Sequence, residues 1–266
     1  MALKSLAAKH VTDSIRMLIE PCNYWRNVEV PAVLNELQVQ PGEKVLDVGS
    51  PKLPSLYLSY RVGADVYATD LFPYFFDEYS HYVAHLGPPP AGYRMEARDA
   101  RALPYPDNFF DKVYAISVVE HIEDGGDSLA LLEMARVLKP GAVCCLTVPF
   151  DLAYRESSID YELYYKKPVD SKPVFYQRHY DLEALQARLI RPSGLSLVKL
   201  DFFGERWFRY EHYYSLLPRF VRIFLSLFGP LFSWLLLRRV ARQPSPSARA
   251  ALITLRKDGG PLPPPA

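Results

Sequence analysis

Three aspartates fall in or at the end of short apolar runs, and their spacing suits one shared binding edge. Asp47 lies in Val45-Leu46-Asp47-Val48-Gly49, Asp70 ends Ala64-Asp65-Val66-Tyr67-Ala68-Thr69-Asp70, and Asp99 ends Tyr93-Arg94-Met95-Glu96-Ala97-Arg98-Asp99. Each run reads as a buried strand that stops at an acid. In an open α/β sheet, ligands bind outside the carboxyl ends of the strands. Carboxylates there accept hydrogen bonds from a nucleoside, ribose hydroxyls for one acid and an adenine amino group for another. The spacing fits successive strand–helix units and so points to a nucleoside cofactor.

The elements that must carry these acids follow along the chain. Residues 1–40 are expected to be helical, with Pro31 opening a helix to about Leu37, before Pro41-Gly42 turns into the first strand. The aromatic stretch Phe72, Tyr74, Phe75, Phe76, Tyr79 and Tyr82 is expected as loop and helix, and 87–90 as a stiff linker. Residues 110–117 make a fourth strand. Asp124-Gly125-Gly126-Asp127 then cap a helix with Leu131, Leu132, Ala135 and Leu138 at helical spacing. Lys139-Pro140-Gly141 ends that helix, and 143–148 make a fifth strand. A tyrosine-rich loop follows, with Tyr154, Tyr161, Tyr164, Tyr165 and Tyr176. Asp181 N-caps a helix through Leu189 that Gly194 closes. Residues 195–203 and 248–256 are the sixth and seventh strands, and the Pro-rich tail is expected to be disordered.

With 266 residues, 49% hydrophobic and 23% charged, the chain suits one large domain, or one domain with an insertion. A net charge of +1 gives no global reason to expect nucleic acid as a partner. Cys144 and Cys145 are neighbours in a strand and so point to opposite faces. With Cys22 they read as thiols of a reducing, cytoplasmic compartment rather than a disulfide framework. Residues 1–10 lack the apolar core of a signal peptide, and no run reaches the ~20 apolar residues of a clean transmembrane helix. No metal site is expected.

Taken in order, these motifs resemble the class I S-adenosylmethionine-dependent methyltransferases. The strongest stretch runs from Asp99-Ala100-Arg101 through Phe110-Asp111-Lys112-Val113-Tyr114 to Ser117-Val118-Val119-Glu120-His121 and Asp124. Arg136-Val137-Leu138-Lys139-Pro140-Gly141 and Arg178-His179-Tyr180-Asp181 match the lead-ins to later elements. The resemblance covers about residues 30–203 plus the last strand. It implies a Rossmann-like, seven-stranded α/β sheet with helices on both faces, and S-adenosylmethionine as cofactor. It also implies a cofactor site made of Asp47, Gly49, Ser50, Lys52, Asp70, Leu71, Asp99, Ala100 and Ser117. Asp70 would take the ribose hydroxyls, Asp99 the adenine amino group with Ala100 beside it, and Ser117 would lie below the sulfonium.

One loop departs from the family pattern. Where the family has Asp-x-Gly-x-Gly-x-Gly, this chain has Asp47-Val48-Gly49-Ser50-Pro51-Lys52-Leu53-Pro54-Ser55. Two prolines remove N–H donors there, and Lys52 is the residue that could replace them by pairing with the cofactor carboxylate. The absence of Gly-x-Gly-x-x-Gly argues against a nicotinamide dehydrogenase. Ser117-Val118-Val119-Glu120 stands where many base N-methyltransferases carry Asn/Asp-Pro-Pro-aromatic. Methyl transfer needs an aligned nucleophile, excluded water and, for an oxygen or carbon acid, a base. His121 and His179 are the candidates, since histidine titrates near neutral pH, with His179 expected nearer the substrate. The aromatic segments 72–82 and 154–176 would flank the pocket mouth, which suits a small, lipophilic acceptor. The alternative is a non-catalytic protein of the same fold, a binding module or scaffold, peripheral at a membrane.

Residues 204–247 form a hydrophobic insertion before the last strand. Its segment 223–237 is nearly all apolar, would span about 22 Å as a helix, and is interrupted by Gly229-Pro230. Two short amphipathic helices are expected, with Arg219, Arg222, Ser226 and Ser233 on a polar stripe and Arg206, Arg209, Arg238, Arg239 and Arg242 flanking them. Contact of 215–240 with an anionic membrane surface, a homodimer interface, a lid and core packing remain open for this segment. The chain thus divides into N-terminal helices (1–40), a core (41–203), the insertion (204–247), a last core strand (248–257) and a tail (258–266).

Overall fold

A computed structural model describes residues 25–49, 52–73, 91–160, 173–205, 228–240 and 246–259, with scattered residues at 80–88, 213–225 and 244. The expected helices of 1–24, most of the aromatic stretch after Phe72, Tyr161, Tyr164 and Tyr165, and the tail from 260 lie outside the described residues.

The centre is a sheet whose first five strands are parallel: β1 (Lys44–Val48), β2 (Asp65–Asp70), β3 (Tyr93–Ala97), β4 (Phe110–Ile116) and β5 (Leu138–Pro149). A hairpin of β6 (Arg155–Ile159) and β7 (Val174–His179) stands apart from it. The sheet continues with β8 (Ser196–Glu205), β9 (Leu237–Val240) and β10 (Ala248–Arg256). Its strand order is β3-β2-β1-β4-β5-β10-β8-β9, the last three neighbouring pairs being antiparallel. The chain winds outward from β1 to β3, then returns to place β4 on the other side of β1. A crevice therefore opens outside the carboxyl ends of β1 and β4, the switch point where such sheets bind ligands.

Helices cover both faces. On one lie α1 (Arg26–Leu37) and α2 (Lys52–Tyr57, continued by wider turns over Leu58–Val62), packing Val33, Leu37 and Leu58 against Val45, Tyr114 and Cys145. On the other lie α3 (Gly126–Val137) and α4 (residues 182–193), packing Leu131, Met134, Leu185 and Leu189 against Leu46, Val113 and Cys144. The two adjacent cysteines enter opposite layers because side chains alternate along a strand, and both are buried free thiols. Asp181 caps α4 by accepting from the Ala184 N–H at 2.8 Å, and Gly194 closes it at φ +67°.

Several elements differ from the sequence expectation. Pro31 lies inside α1, which starts at Arg26; the bond it forgoes is to the carbonyl of Asn27, near a helix start where few bonds are at stake. Helix α3 stops at Val137, and Lys139-Pro140-Gly141 already belongs to β5, with Gly141 donating to the Lys257 carbonyl. Asp124 does not cap α3: Gly125, at φ +73°, precedes it with no side-chain cap. The ends of the tyrosine-rich loop form the β6–β7 hairpin. Within the insertion, Gly229-Pro230 opens α5 (Gly229–Leu236), since a proline in the first turn loses only an N–H that had no intrahelical partner; before it Phe224 and Leu225 are helical, and much of the expected first helix lies outside the described residues. The chain then turns into β9, an eighth strand on the sheet edge beside β8.

Candidate functional site

Two side-chain groups occupy the carboxyl edge of the sheet, one on each side of the switch point. The first follows β1, β2 and β3. Asp70 ends β2 almost fully buried; its Oδ1 accepts from the Phe72 N–H at 3.1 Å and its Oδ2 lies 3.7 Å from the Lys52 ammonium. Burial pushes its carboxyl above the usual pKa, while Lys52 and the backbone donors pull it back. Asp99 sits two residues past β3, held by Arg101 through the backbone N–H (2.9 Å), Nε (3.0 Å) and a terminal nitrogen (2.7 Å). This guanidinium keeps Asp99 below the ordinary carboxylate range. Ala100 packs partly buried against the core, and Leu71 is exposed beside Asp70.

The segment carrying Asp99 is pinned from behind. Arg136 of α3 donates to the carbonyls of Leu103 and Tyr105, each at 2.8 Å. Tyr105, Phe109 and Phe110 meet the Tyr67 ring edge-on, with centroids 5.1–5.7 Å away.

Lys52 takes a different partner from the one expected. The chain enters α2 at this residue, and the side chain turns inward beneath β2 with 1% exposure. Its ammonium donates to the Thr69 carbonyl at 2.8 Å and faces Asp70. It is a buried counter-charge for the acid and does not stand on the loop surface to meet a cofactor carboxylate. Asp47, in β1, is wholly buried beside Tyr114, whose hydroxyl is driven up by burial and then by the Asp47 carboxylate. Gly49 turns at φ +62°, and a Cβ there would lie 2.6 Å from a Val118 methyl, so its missing side chain lets the loops after β1 and β4 close on each other. Ser50 lies outside the described residues.

The second group lines a cavity of about 590 Å³ at the carboxyl ends of β4 and β5, within the size range of small-molecule sites. Ser117 follows β4 at φ +49°, a conformation that costs a non-glycine residue about 1 kcal/mol or more and persists where the surroundings fix it. Here α1 fixes it: Ser117 Oγ accepts from the Arg26 guanidinium at 2.6 Å and donates to Glu29 at 3.3 Å, while Arg26 also pairs with Glu29. Behind them Glu120 is fully buried, and among the described residues no hydrogen bond of ordinary geometry reaches either carboxyl oxygen. Burial is the main cause that raises its pKa to about 8.

His121 and His179 share the cavity wall. His121 Nδ1 lies 2.7 Å from the Tyr176 carbonyl, which can only accept, so Nδ1 carries the proton. Nε2 is left with a lone pair, 3.8 Å from Glu120. Burial lowers the pKa of this ring and keeps it neutral. His179 is engaged at both nitrogens: Arg155 donates to Nδ1 at 3.1 Å, and the Gln177 amide lies 3.0 Å from Nε2. Burial, then Arg155, pushes His179 down to about 4. The hairpin that carries His179 and Tyr176 is held by Asp127 of α3. This buried carboxylate accepts from Tyr180 at 3.0 Å and from two nitrogens of Arg188 at 2.8 and 2.9 Å.

The structure thus brings Ser117, His121 and His179 together and leaves Asp70, Asp99 and Ala100 across β1 from them. Sequence reasoning missed Arg26, Glu29 and Glu120. Of these only Glu120 had a signal, its place beside His121 after β4. The edge as a whole fits a nucleoside with a cationic arm: acids follow two adjacent strands, and a buried carboxyl lies beyond the switch point. Among the described residues, no cluster of three or more His, Cys, Asp or Glu could hold a metal ion.

Comparison with known proteins gives the same direction. A family model described as a methyltransferase domain matches residues 46–146. Phosphoethanolamine N-methyltransferase 3 of Arabidopsis thaliana is 28% identical over 165 residues, 61% of this chain, which spans only 30% of that protein's length. Demethylmenaquinone methyltransferase of Mycobacterium marinum is 30% identical over 193 residues, covering 66% of this chain and 75% of the relative. A crystal structure of a putative sarcosine dimethylglycine methyltransferase from Galdieria sulphuraria superposes with a TM-score of 0.55 at 15% identity, over 88% of this chain and 86% of that one.

Proposed function

The chain belongs to the class I S-adenosylmethionine-dependent methyltransferases, and on that premise we propose that it methylates a small, lipophilic acceptor bound in the cavity beyond β4 and β5. S-adenosylmethionine supplies a methyl group on a positively charged sulphur. Asp70 holds the ribose hydroxyls, with Lys52 beneath it stabilising the ionised form; Asp99 and Ala100 border the adenine. Arg26, next to Ser117, is the cation that the glycine-poor loop lacks and meets the amino-acid carboxylate. Glu120 and Glu29 give the positive end of the cofactor an acidic surround.

His121 is the general base. This assignment rests on one observation: Nδ1 is tied to the Tyr176 carbonyl, so the Nε2 lone pair of a neutral imidazole is available at the cavity wall. His179 is the weaker base, because Arg155 occupies its Nδ1 and its low pKa leaves little affinity for a proton. It orients Arg155 and Gln177 at the cavity mouth. Trp25, Phe150 and Tyr176 supply the apolar part of a wall that also carries Glu29, Asp151 and Arg155, which suits an acceptor with an aromatic or hydrocarbon body and a polar reacting end. The similarity to a demethylmenaquinone methyltransferase supports the same class of acceptor.

The test is transfer of labelled methyl from S-adenosylmethionine to a panel of quinols, phenols and aliphatic amines. Lipophilic hydroxylated or carbon-acid acceptors should be labelled, and His121→Asn should lower kcat about 100-fold or more with little change in KM. Unaltered kcat in His121→Asn would remove it as the base. Label on the amines alone would remove the acceptor class.

A further inference from the structure

We propose that the exposed apolar face of α5 and the residues leading into it docks this protein on an anionic lipid surface. Leu231 and Leu235 stand one turn apart on α5, and Phe224 and Phe228 precede it with their rings in contact, centroids 5.6 Å apart. All four are exposed, as are Leu216 (69%) and Trp234 (74%). Isolated exposed apolar residues are ordinary, but six of them within twenty positions form a patch that marks an interaction site.

The occupant follows from charge. Residues 206–249 contain eight arginines and one acid, Glu211, whereas the whole chain is at +1, so the remainder is net acidic. A second copy docked on this face would oppose two strongly cationic segments. A surface of anionic headgroups matches both halves of the pattern, with apolar side chains and an indole at the acyl boundary and the arginine-rich composition of this stretch attracting the headgroups. Among the described residues no helix is long and apolar enough to cross a membrane, and α5 at eight residues spans about 12 Å. It lies in the interface plane.

Core packing does not describe this face, given the exposure of Trp234. A swinging lid does not either, since α5 is fastened at its middle and just past its C-terminal end. Ser233, on its buried side, accepts from the Asn27 side chain at 3.2 Å, and Leu237 of β9 pairs with Glu205 of β8. These fastenings set the patch at the cavity rim: Asn27 follows Trp25 and Arg26, which line the cavity together with Glu205. A lipid-dissolved acceptor would enter without crossing bulk water. The docking itself does not depend on methyl transfer.

The experiment is co-sedimentation of the full chain with vesicles of phosphatidylcholine alone or mixed with phosphatidylglycerol, at low and high salt. The expected result is pelleting with the anionic vesicles, weak binding to neutral ones, and release by salt. Trp234→Ala combined with Leu231→Gln should weaken binding roughly tenfold or more while circular dichroism and S-adenosylmethionine binding stay unchanged. Equal recovery in the supernatant with both vesicle types at low salt overturns the proposal. So does a concentration-dependent dimer that the same double substitution dissociates, which would make the patch a self-interface.

Discussion

Replacing Glu120 by Gln should make the protein's stability less dependent on pH, by an amount that the site itself sets. Glu120 is fully buried on the turn after β4, facing Arg26 and Glu29 of α1, Ser117, and His121 on its own turn. Its folded pKa is about 8 against an ordinary 4.5. Between those values the native state keeps the proton that the unfolded chain gives up, so stability falls as pH rises from about 4.5 to 8. Integrating this one site at 1.36 kcal/mol per unit, the wild type should lose about 2.5 kcal/mol between about pH 5.5 and 7.5. Glutamine has the shape of the protonated acid and no titration, so Glu120→Gln should escape this loss. The assay is urea denaturation of both proteins across that range. The variant's advantage should widen by about 2 kcal/mol or more from the acid to the neutral end. Parallel stability curves would refute a neutral buried Glu120, and with it the picture of an acid held ready for a cation.

Two further substitutions probe the edge of the sheet. Gly49→Ala should destabilise the protein by about 1–3 kcal/mol, because a Cβ would sit against Val118 in a left-handed backbone. Adding Val118→Ala should recover only the steric part, and full recovery in urea titrations would mean that the backbone conformation costs nothing. Lys52→Met removes the ammonium that offsets the burial of Asp70. Asp70 should then protonate more readily, so S-adenosylmethionine affinity measured across pH should fall earlier as the solution is acidified; a pH profile identical to wild type would contradict that role.

The strands were legible because burial on both faces leaves continuous apolar runs, and an acid or a Pro-Gly turn marks where each run stops. Asp70 and Asp99 stood out by position at a strand end and Ser117 by the family resemblance, and all three lie at the carboxyl edge of the sheet. Lys52 was expected to face a cofactor carboxylate, and nothing in the loop sequence shows that the entry into α2 turns it under β2 towards Thr69 and Asp70. The β6–β7 hairpin carries too few apolar residues to show an alternation, and β9 is only four residues, Leu237-Arg238-Arg239-Val240, too short for any periodicity to mark it off from α5. Arg26 and Glu29 had no local signal at all. They reach Ser117 across about ninety residues of sequence, through the packing of α1 on the sheet.

The account's central claim is a working S-adenosylmethionine site despite the altered loop after β1. Calorimetric titration of the purified protein with S-adenosylmethionine and S-adenosylhomocysteine tests it most directly. The account predicts micromolar binding of both that Asp70→Ala weakens about 10- to 150-fold, since a carboxylate paired to hydroxyls contributes about 1.5–3 kcal/mol. No binding of either ligand, or binding indifferent to Asp70→Ala, would contradict it.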